Sequence, residues 1–555
     1  MSSLRETWRW AFYNRRVANE SGEAAIIKKQ GGKIMRIFAY MALGLAAIVS
    51  PAAAAAVDAP IEASLDASKP GAVIDRHIFG QFAEHLGSGV YGGIWVGKDS
   101  PIPNTRGIRN DVVAALKALR VPDVRWPGGC YADNYHWRDG IGKTRNARVN
   151  TSWGGVIDSN DFGTDEYFDF IDQIGSEAYI SVNVGSGTVK EAADWLEYMT
   201  ANQPTALEQE RVANGHAAPY KVRFMGIGNE SWDCGGLMTA TEYTGELKRY
   251  GRFVNNFNAS VPMAKIAVGP GTDDTTWTEA VMKTWKERHG WSFDMQGMSL
   301  HSYTVNGAWP PHISATDFDE QGYADVLAET LKMEPLVKKQ TAVMDQYDPD
   351  KKIALVVDEW GAWYAPTPHS NPGFLQQQNT QRDAILAALN LDIFARHADR
   401  VRMTNIAQMI NVLQAMILTD GSRMVLTPTY HVFHMYVPFQ DATFVPIAYD
   451  PGTYVHGSAT LPRIDAIAAK DKTGKIWVAI TNLDPTRPAE FSLTATGLKA
   501  TRAMGETLAA PKINSYNSFD APETVSPKPI AGKLAGGKLV LELKPESVTV
   551  VGLEP

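Results

Sequence analysis

The sequence predicts an α/β protein, a (β/α)8 TIM barrel followed by a C-terminal antiparallel β-sandwich. Three observations carry this expectation. Between residues 78 and 407, eight short apolar, β-rich runs alternate with longer helical stretches. Such alternation implies a parallel sheet, and eight units with long loops favour a closed barrel over an open doubly wound sheet. From about Met435 the helical periodicity disappears, and short strand-like runs between Gly, Pro, Asn and Asp take over, which is the texture of a sandwich. At 555 residues the chain also exceeds the size at which one core stops growing, so a large domain with a smaller one is the natural division.

In chain order, residues 1–56 read as an N-terminal extension and signal peptide and are left out of the fold. Met35-Arg36 opens a positive stretch, Ile37 to Val49 is apolar but short for a membrane span, and Ala52 to Ala56 supplies small residues for cleavage near Ala56. The expectation is therefore an exported protein, periplasmic or extracellular, with no membrane attachment after cleavage. The polar stretch before Met35 reads as a misassigned start or a long positive region. The barrel is assigned to 57–433, with 57–73 offering an extra strand to the sandwich.

Barrel strands are expected at Ile78–Glu84, Val121–Trp126, Ala178–Val184, Lys221–Gly228, Lys265–Val268, Gln296–His301, Lys352–Asp358 and Arg402–Ala407. Helices are expected at Asn110–Leu119, Thr164–Gln173, Val189–Met199, Thr241–Asn256, Thr278–Lys286, Ala324–Met344 and Asn379–Arg396. The charged run Glu208–Arg211 reads as a solvated face. The sandwich, 434–555, shows strand-like runs at Ile476–Thr481, Ala489–Leu493, Lys538–Leu543 and Ser547–Val551.

Two glutamates stand where such a barrel places its chemistry. Gly-Asn229-Glu230 closes the fourth proposed strand and Asp358-Glu359-Trp360 the seventh, and side chains at the C-terminal ends of strands point into the mouth. Glycoside hydrolysis needs two carboxyls flanking the scissile bond, one protonated for the leaving group and one ionised to attack the sugar or activate water. Strands four and seven face each other, so the two can approach to about 5–5.5 Å, the separation of retaining enzymes. A buried structural pair is the bland alternative. Asn229 suits a sugar 2-hydroxyl. Arg125 can fix a neighbouring carboxylate, unless it is a structural barrel arginine. Tyr303 can hold the nucleophile's second oxygen, Glu84 ends strand one, and Gln408 ends strand eight with an amide that both donates and accepts.

Composition removes other classes. A net charge of −8 argues against nucleic acid and anionic membranes as partners. His136, His301 and His312 lack metal-ligand spacing, no HExxH, GxSxG or P-loop occurs, and neither metal nor organic cofactor is expected. Fifteen Trp and twenty Tyr suit stacking on sugar rings, though each is also ordinary core material.

The motifs together resemble the α-L-arabinofuranosidases of glycoside hydrolase family 51. They are Ile-Phe-Gly-Gln-Phe-Ala-Glu84-His-Leu-Gly, Arg125-Trp-Pro-Gly-Gly, Trp137-Arg-Asp-Gly-Ile-Gly, Gly-Asn229-Glu230, His301-Ser-Tyr303, Asp358-Glu359-Trp360 and Ala407-Gln408-Met-Ile-Asn-Val, in that order between about Val73 and Tyr430. The resemblance implies Glu230 as acid/base and Glu359 as nucleophile, with retention through a covalent arabinosyl-enzyme. It also implies that Glu84, Asn229 and Gln408 bond the arabinofuranose hydroxyls, that Tyr303 orients the nucleophile, and that Arg125 supports the site. Trp363 and Trp153 match positions lining the substrate pocket. The implied partner is an arabinofuranosyl-containing oligo- or polysaccharide, and a homo-oligomer is the assembly such enzymes often form. One departure is Cys130, where many members carry Asn after Arg-Trp-Pro-Gly-Gly. The chain's other cysteine is Cys234; an even pair in an exported protein suggests a disulfide, and both loops converge on the barrel mouth. Two inert buried thiols are the alternative.

The residues leave other readings open: an endo-acting β-glucanase or xylanase on the same scaffold, a transglycosylase, or a non-catalytic carbohydrate-binding protein. Long Trp-rich loops at 92–109 and 131–161 favour a pocket over a cleft, and binding alone needs neither Glu230 nor Glu359.

Overall fold

The computed structural model describes residues 59–290, 293–498, 500–535 and 538–554; the expected signal segment lies outside them. The closed barrel consists of Gly80–Phe82, Asp123–Trp126, Glu177–Val182, Val222–Ile227, Ala264–Ala267, Gly297–Thr304, Ala354–Ala362 and Val401–Ile406. Each strand pairs in parallel with its neighbours in sequence, and the last closes on the first. The interior is a packed core rather than a channel: Tyr179, Phe224, Ile266, Val356 and Met403 fill it. No helix among the described residues is long and apolar enough to cross a membrane.

Two departures from the expected elements have local causes. The helix expected over 324–344 is two helices, Glu320–Thr330 and Met333–Tyr347. Pro335 explains the break: inside a continuous helix it would lack an N–H and clash with the preceding turn, whereas in the first turn of a new helix it is tolerated. The run Glu208–Arg211 lies in the helix Ala206–Ala213. Its Arg211 is buried, not solvated, and donates to the carbonyls of Tyr198 and Ala201, each at 2.8 Å.

The seventh strand was expected to stop at Asp358 but continues to Ala362. Its pairing slips on both sides. Val356 faces Ser299 and Glu359 faces His301, while Val357 faces Thr404 and Trp360 faces Ile406. Between Val356 and Trp360 the strand thus carries one extra residue against each neighbour, a bulge that re-aims side chains, and an opposite slip between Leu355 and Val356 restores register with the eighth strand. Regular pleating would send Asp358 and Glu359 to opposite faces; here both reach the barrel mouth.

The C-terminal residues form two sheets. Thr443–Val445, Ile464–Lys470, Ile476–Asn482, Ser547–Glu554, Arg502–Leu508 and Lys528–Ala531 make one. The other contains Ile61–Asp66, which runs parallel to Ala489–Thr496 and antiparallel to Ile447–Tyr449. The inner faces share an apolar core including Leu65, Val478, Phe491, Leu541 and Val551. The helix Gln381–Arg396, buried nearly all round, links this unit to the barrel: Gln381 donates to Glu546 O at 2.6 Å and Arg396 pairs with Asp465 at 3.1 Å.

Candidate active site

Glu230 follows the fourth strand across Gly228, whose φ of +90° turns the chain, and itself adopts φ +36°. A non-glycine residue there carries strain of about 1–3 kcal/mol, held in place because Asp233 N and Gly235 N both donate to Glu230 O, at 2.7 and 3.1 Å. Asp133 ties the neighbouring loops together. Its carboxylate accepts from Val184 N and Gly185 N at 2.8 Å and from Asn229 N at 3.1 Å. Burial pushes Asp133 up to about 7 against the pull of those amides.

Arg125, buried at the end of the second strand, forks across the mouth. Its Nη1 donates to Glu359 Oε1 at 2.7 Å, its Nη2 to Asn229 Oδ1 at 2.6 Å, and its Nε lies 3.4 Å from Asp358 Oδ2. Tyr303 Oη donates to the second oxygen of Glu359 at 2.7 Å, so both oxygens of that carboxylate are fixed. A planar guanidinium spanning two acceptors is a geometry lysine could not reproduce.

His301 is the hub between the carboxyls. Its Nδ1 is 2.8 Å from Glu230 Oε1 and 3.5 Å from Glu359 Oε2, and its Nε2 is 3.2 Å from Asp358 Oδ1. Burial works against the imidazolium, but the charges of Glu359, Asp358 and Glu230 outweigh it and carry His301 up to about 10. Asp358, despite burial, is held low by Arg125 and His301, and also accepts from Tyr179 Oη at 2.7 Å. Glu230 is raised, by burial first and by the charge of Glu359, with His301 pulling the other way. One oxygen of Glu230, one of Glu359 and a nitrogen of His301 all lie within 4.8 Å of one another. As a cation site the trio is unsuited, because an imidazolium has no free lone pair.

A polar wall completes the site. Glu84 Oε1 accepts from Trp153 Nε1 at 2.8 Å and Tyr131 N at 3.0 Å, and Oε2 from Gln408 Nε2 at 2.9 Å. Burial and the charge of Glu359 push Glu84 up to about 7. The glycines of Arg125-Trp-Pro-Gly-Gly make room for it: a Cβ on Gly129 would sit 2.7 Å from Glu84 Oε1. Gln408 Oε1 is buried and has no protein partner among the described residues. Trp363 stands edge-on to Tyr303, with ring centroids 4.9 Å apart. Cys130 and Cys234 are joined, and Cys234 Sγ lies 3.6 Å from Glu230 Oε2.

Two family models match the chain, the α-L-arabinofuranosidase 1 domain over residues 115–317 and the α-L-arabinofuranosidase C-terminal domain over 358–547. An intracellular exo-α-L-arabinofuranosidase of Bacteroides ovatus is 44% identical over 87% of this chain and 93% of its own length. The crystal structure of a family 51 arabinofuranosidase from Xanthomonas axonopodis pv. citri superposes with a TM-score of 0.87 at 51% identity, covering 89% of this chain and all of that one. The chain belongs to the α-L-arabinofuranosidases of glycoside hydrolase family 51. It is a glycosidase of arabinose-containing glycans.

In this arabinofuranosidase Glu84, Arg125, Asn229, Glu230, Tyr303, Glu359 and Gln408 converge on one site, with Trp153 and Trp363 at its rim. Sequence reasoning missed His301 as a site residue, although it stood in the quoted His-Ser-Tyr motif. It also missed Asp358, whose adjacency to Glu359 argues for the opposite face until the bulge is seen. Asp133 had no signal beyond its place in a mouth loop.

The expectation of export is corrected. The Bacteroides ovatus relative and one of Bifidobacterium longum, 27% identical over 85% of this chain and 88% of its own, are both intracellular enzymes by name. The export reading rested on an alanine-rich apolar run beside a basic residue, a composition that is not specific to cleaved signals.

Proposed function

We propose that this arabinofuranosidase acts as an exo-enzyme, releasing terminal α-L-arabinofuranosyl residues with retention. Glu359 is the nucleophile and Glu230 the acid/base. The observation that carries the reading is the approach of Glu230, Glu359 and His301 within 4.8 Å, on the scale of the roughly 5–5.5 Å of retaining pairs. Glu359, oriented by Arg125 and Tyr303, attacks the anomeric carbon while the raised carboxyl of Glu230 protonates the departing oxygen. The resulting ester removes the charge of Glu359. Glu230 then loses one cause of its raised pKa and becomes the base that takes a proton from water, which attacks the same carbon and releases Glu359. Glu84, Asn229 and Gln408 hold the sugar hydroxyls, a role supported by the free buried Oε1 of Gln408.

The test uses 4-nitrophenyl α-L-arabinofuranoside with Glu359→Ala and Glu230→Ala. Glu359→Ala is expected to lose activity by several orders of magnitude. Glu230→Ala keeps glycosylation by this good leaving group, and added azide then gives the arabinosyl azide with retained configuration. An inverted azide from Glu230→Ala, or an active Glu359→Ala, contradicts the assignment.

A further inference from the structure

A chain of aromatic rings runs from the nucleophile to solvent. Tyr303 Oη donates to Glu359 Oε2 at 2.7 Å. Trp363 stands edge-on to Tyr303 at 4.9 Å and 78°, and Trp309 edge-on to Trp363 at 4.9 Å and 73°. Trp309 lies in the loop between the sixth strand, ending at Thr304, and the helix beginning at Glu320. It is 55% exposed. An indole left this open keeps apolar area in water, and Trp309 does not stand alone but continues the aromatic wall that begins at Tyr303 and Trp363.

The other walls say which part of the substrate it meets. Glu84, Asn229 and Gln408 are each at most 2% exposed, so the sugar being cleaved is held on buried polar groups. The leaving group must emerge on the open side, where Trp309 stands. We infer that Trp309 is the platform for the sugar ring beyond the scissile bond, stacking on the apolar face of a furanose or pyranose in the departing glycan. The T-shaped contact with Trp363 braces the indole while more than half of the residue stays open to solvent, and a rigid ring with two side-chain torsions binds at low entropic cost. Stacking reads no hydroxyl pattern, so the platform accepts leaving groups of differing sugar identity. This deepens the reading of the same site under Proposed function and rests on it.

The experiment compares two substrates, α-L-arabinofuranosyl fluoride, whose leaving group has no ring, and an α-1,5-linked arabinotriose. Wild-type hydrolysis of the fluoride tests the underlying exo-arabinofuranosidase reading by itself. For the platform, the readout is the ratio of kcat/KM on arabinotriose to kcat/KM on fluoride. Trp309→Ala is expected to lower that ratio about tenfold, the scale of one aromatic contact, and Trp309→Phe to recover most of it. A ratio that stays at the wild-type value in Trp309→Ala, or falls equally in Trp309→Phe, overturns the assignment.

Discussion

Replacing Gly129 with alanine should disable this site without unfolding the barrel. The added methyl would lie 2.7 Å from Glu84 Oε1, 2.9 Å from Oε2 and 3.0 Å from Cδ. Ordinary contact begins near 3.4 Å, so the carboxylate must retreat by about 0.7 Å, because packed interiors do not absorb such overlaps. Glu84 is the far end of a side chain, so the backbone can stay. The carboxylate cannot retreat freely, since Trp153, Tyr131 and Gln408 hold it with bonds of 2.8, 3.0 and 2.9 Å. Losing one bond to a charged group costs about 1.5–3 kcal/mol, a drop of a few degrees in the unfolding midpoint. The kinetic penalty is larger, since misplacing a positioning group by close to 1 Å costs about a hundredfold. The assay is kcat/KM on 4-nitrophenyl α-L-arabinofuranoside beside a thermal scan, with Gly245→Ala as control. That helical glycine has open space where a Cβ would go, so alanine there should stabilise slightly. A folded Gly129→Ala enzyme within threefold of wild type would refute the claim that the Glu84 carboxylate must stand where it does.

Stability should fall on the alkaline side because of His301. Held near 10 against an ordinary 6.5, the native imidazole keeps a proton that the unfolded chain releases. Its contribution is full below about pH 6.5 and is lost as pH rises through about 10. His77, also carried to about 10 by Asp75 and Glu177 against burial, acts in the same direction. The comparison that isolates His301 is the urea midpoint of His301→Asn, whose fall between about pH 7 and 10 should be shallower; equal slopes would remove His301 from the account. The Cys130–Cys234 bond closes a separation of 104 residues, worth about 4–5 kcal/mol in the chain-entropy picture. Alkylation of the native protein should label no cysteine, and Cys130→Ser with Cys234→Ser should lower the unfolding midpoint; two labelled thiols before reduction would rule the bond out.

Much of the barrel was legible because parallel strands buried on both faces read as continuous apolar runs. All eight expected strands overlap observed ones. The misreadings came from tertiary context. Nothing between Val356 and Trp360 announces an extra residue, since a bulge is defined only against the strands alongside. The strand Ile61–Asp66 finds its partner at Ala489–Thr496, more than four hundred positions away, so local pattern says little about where it docks. For the site, the glutamates were readable from their places at strand ends. The role of His301 was not, because it depends on three carboxyls contributed by two other strands.

The charges of the mouth bear directly on the raised Glu230. Four carboxyls, Glu84, Glu230, Asp358 and Glu359, share a buried volume with two cations, Arg125 and His301. Among the described residues Arg125 pairs with Asp358 and Glu359 but not with Glu230. His301 touches three of the four, so its single charge is divided. A buried site cannot hold four ionised carboxyls against two cations without large cost, and the cost falls on the two carboxyls that have no ion pair with Arg125 among the described residues. Those are Glu230 and Glu84, the two that burial and the charge of Glu359 push upward. Burial is the first cause of the raised Glu230 and the charge of Glu359 adds to it, while His301 and Arg125 oppose it.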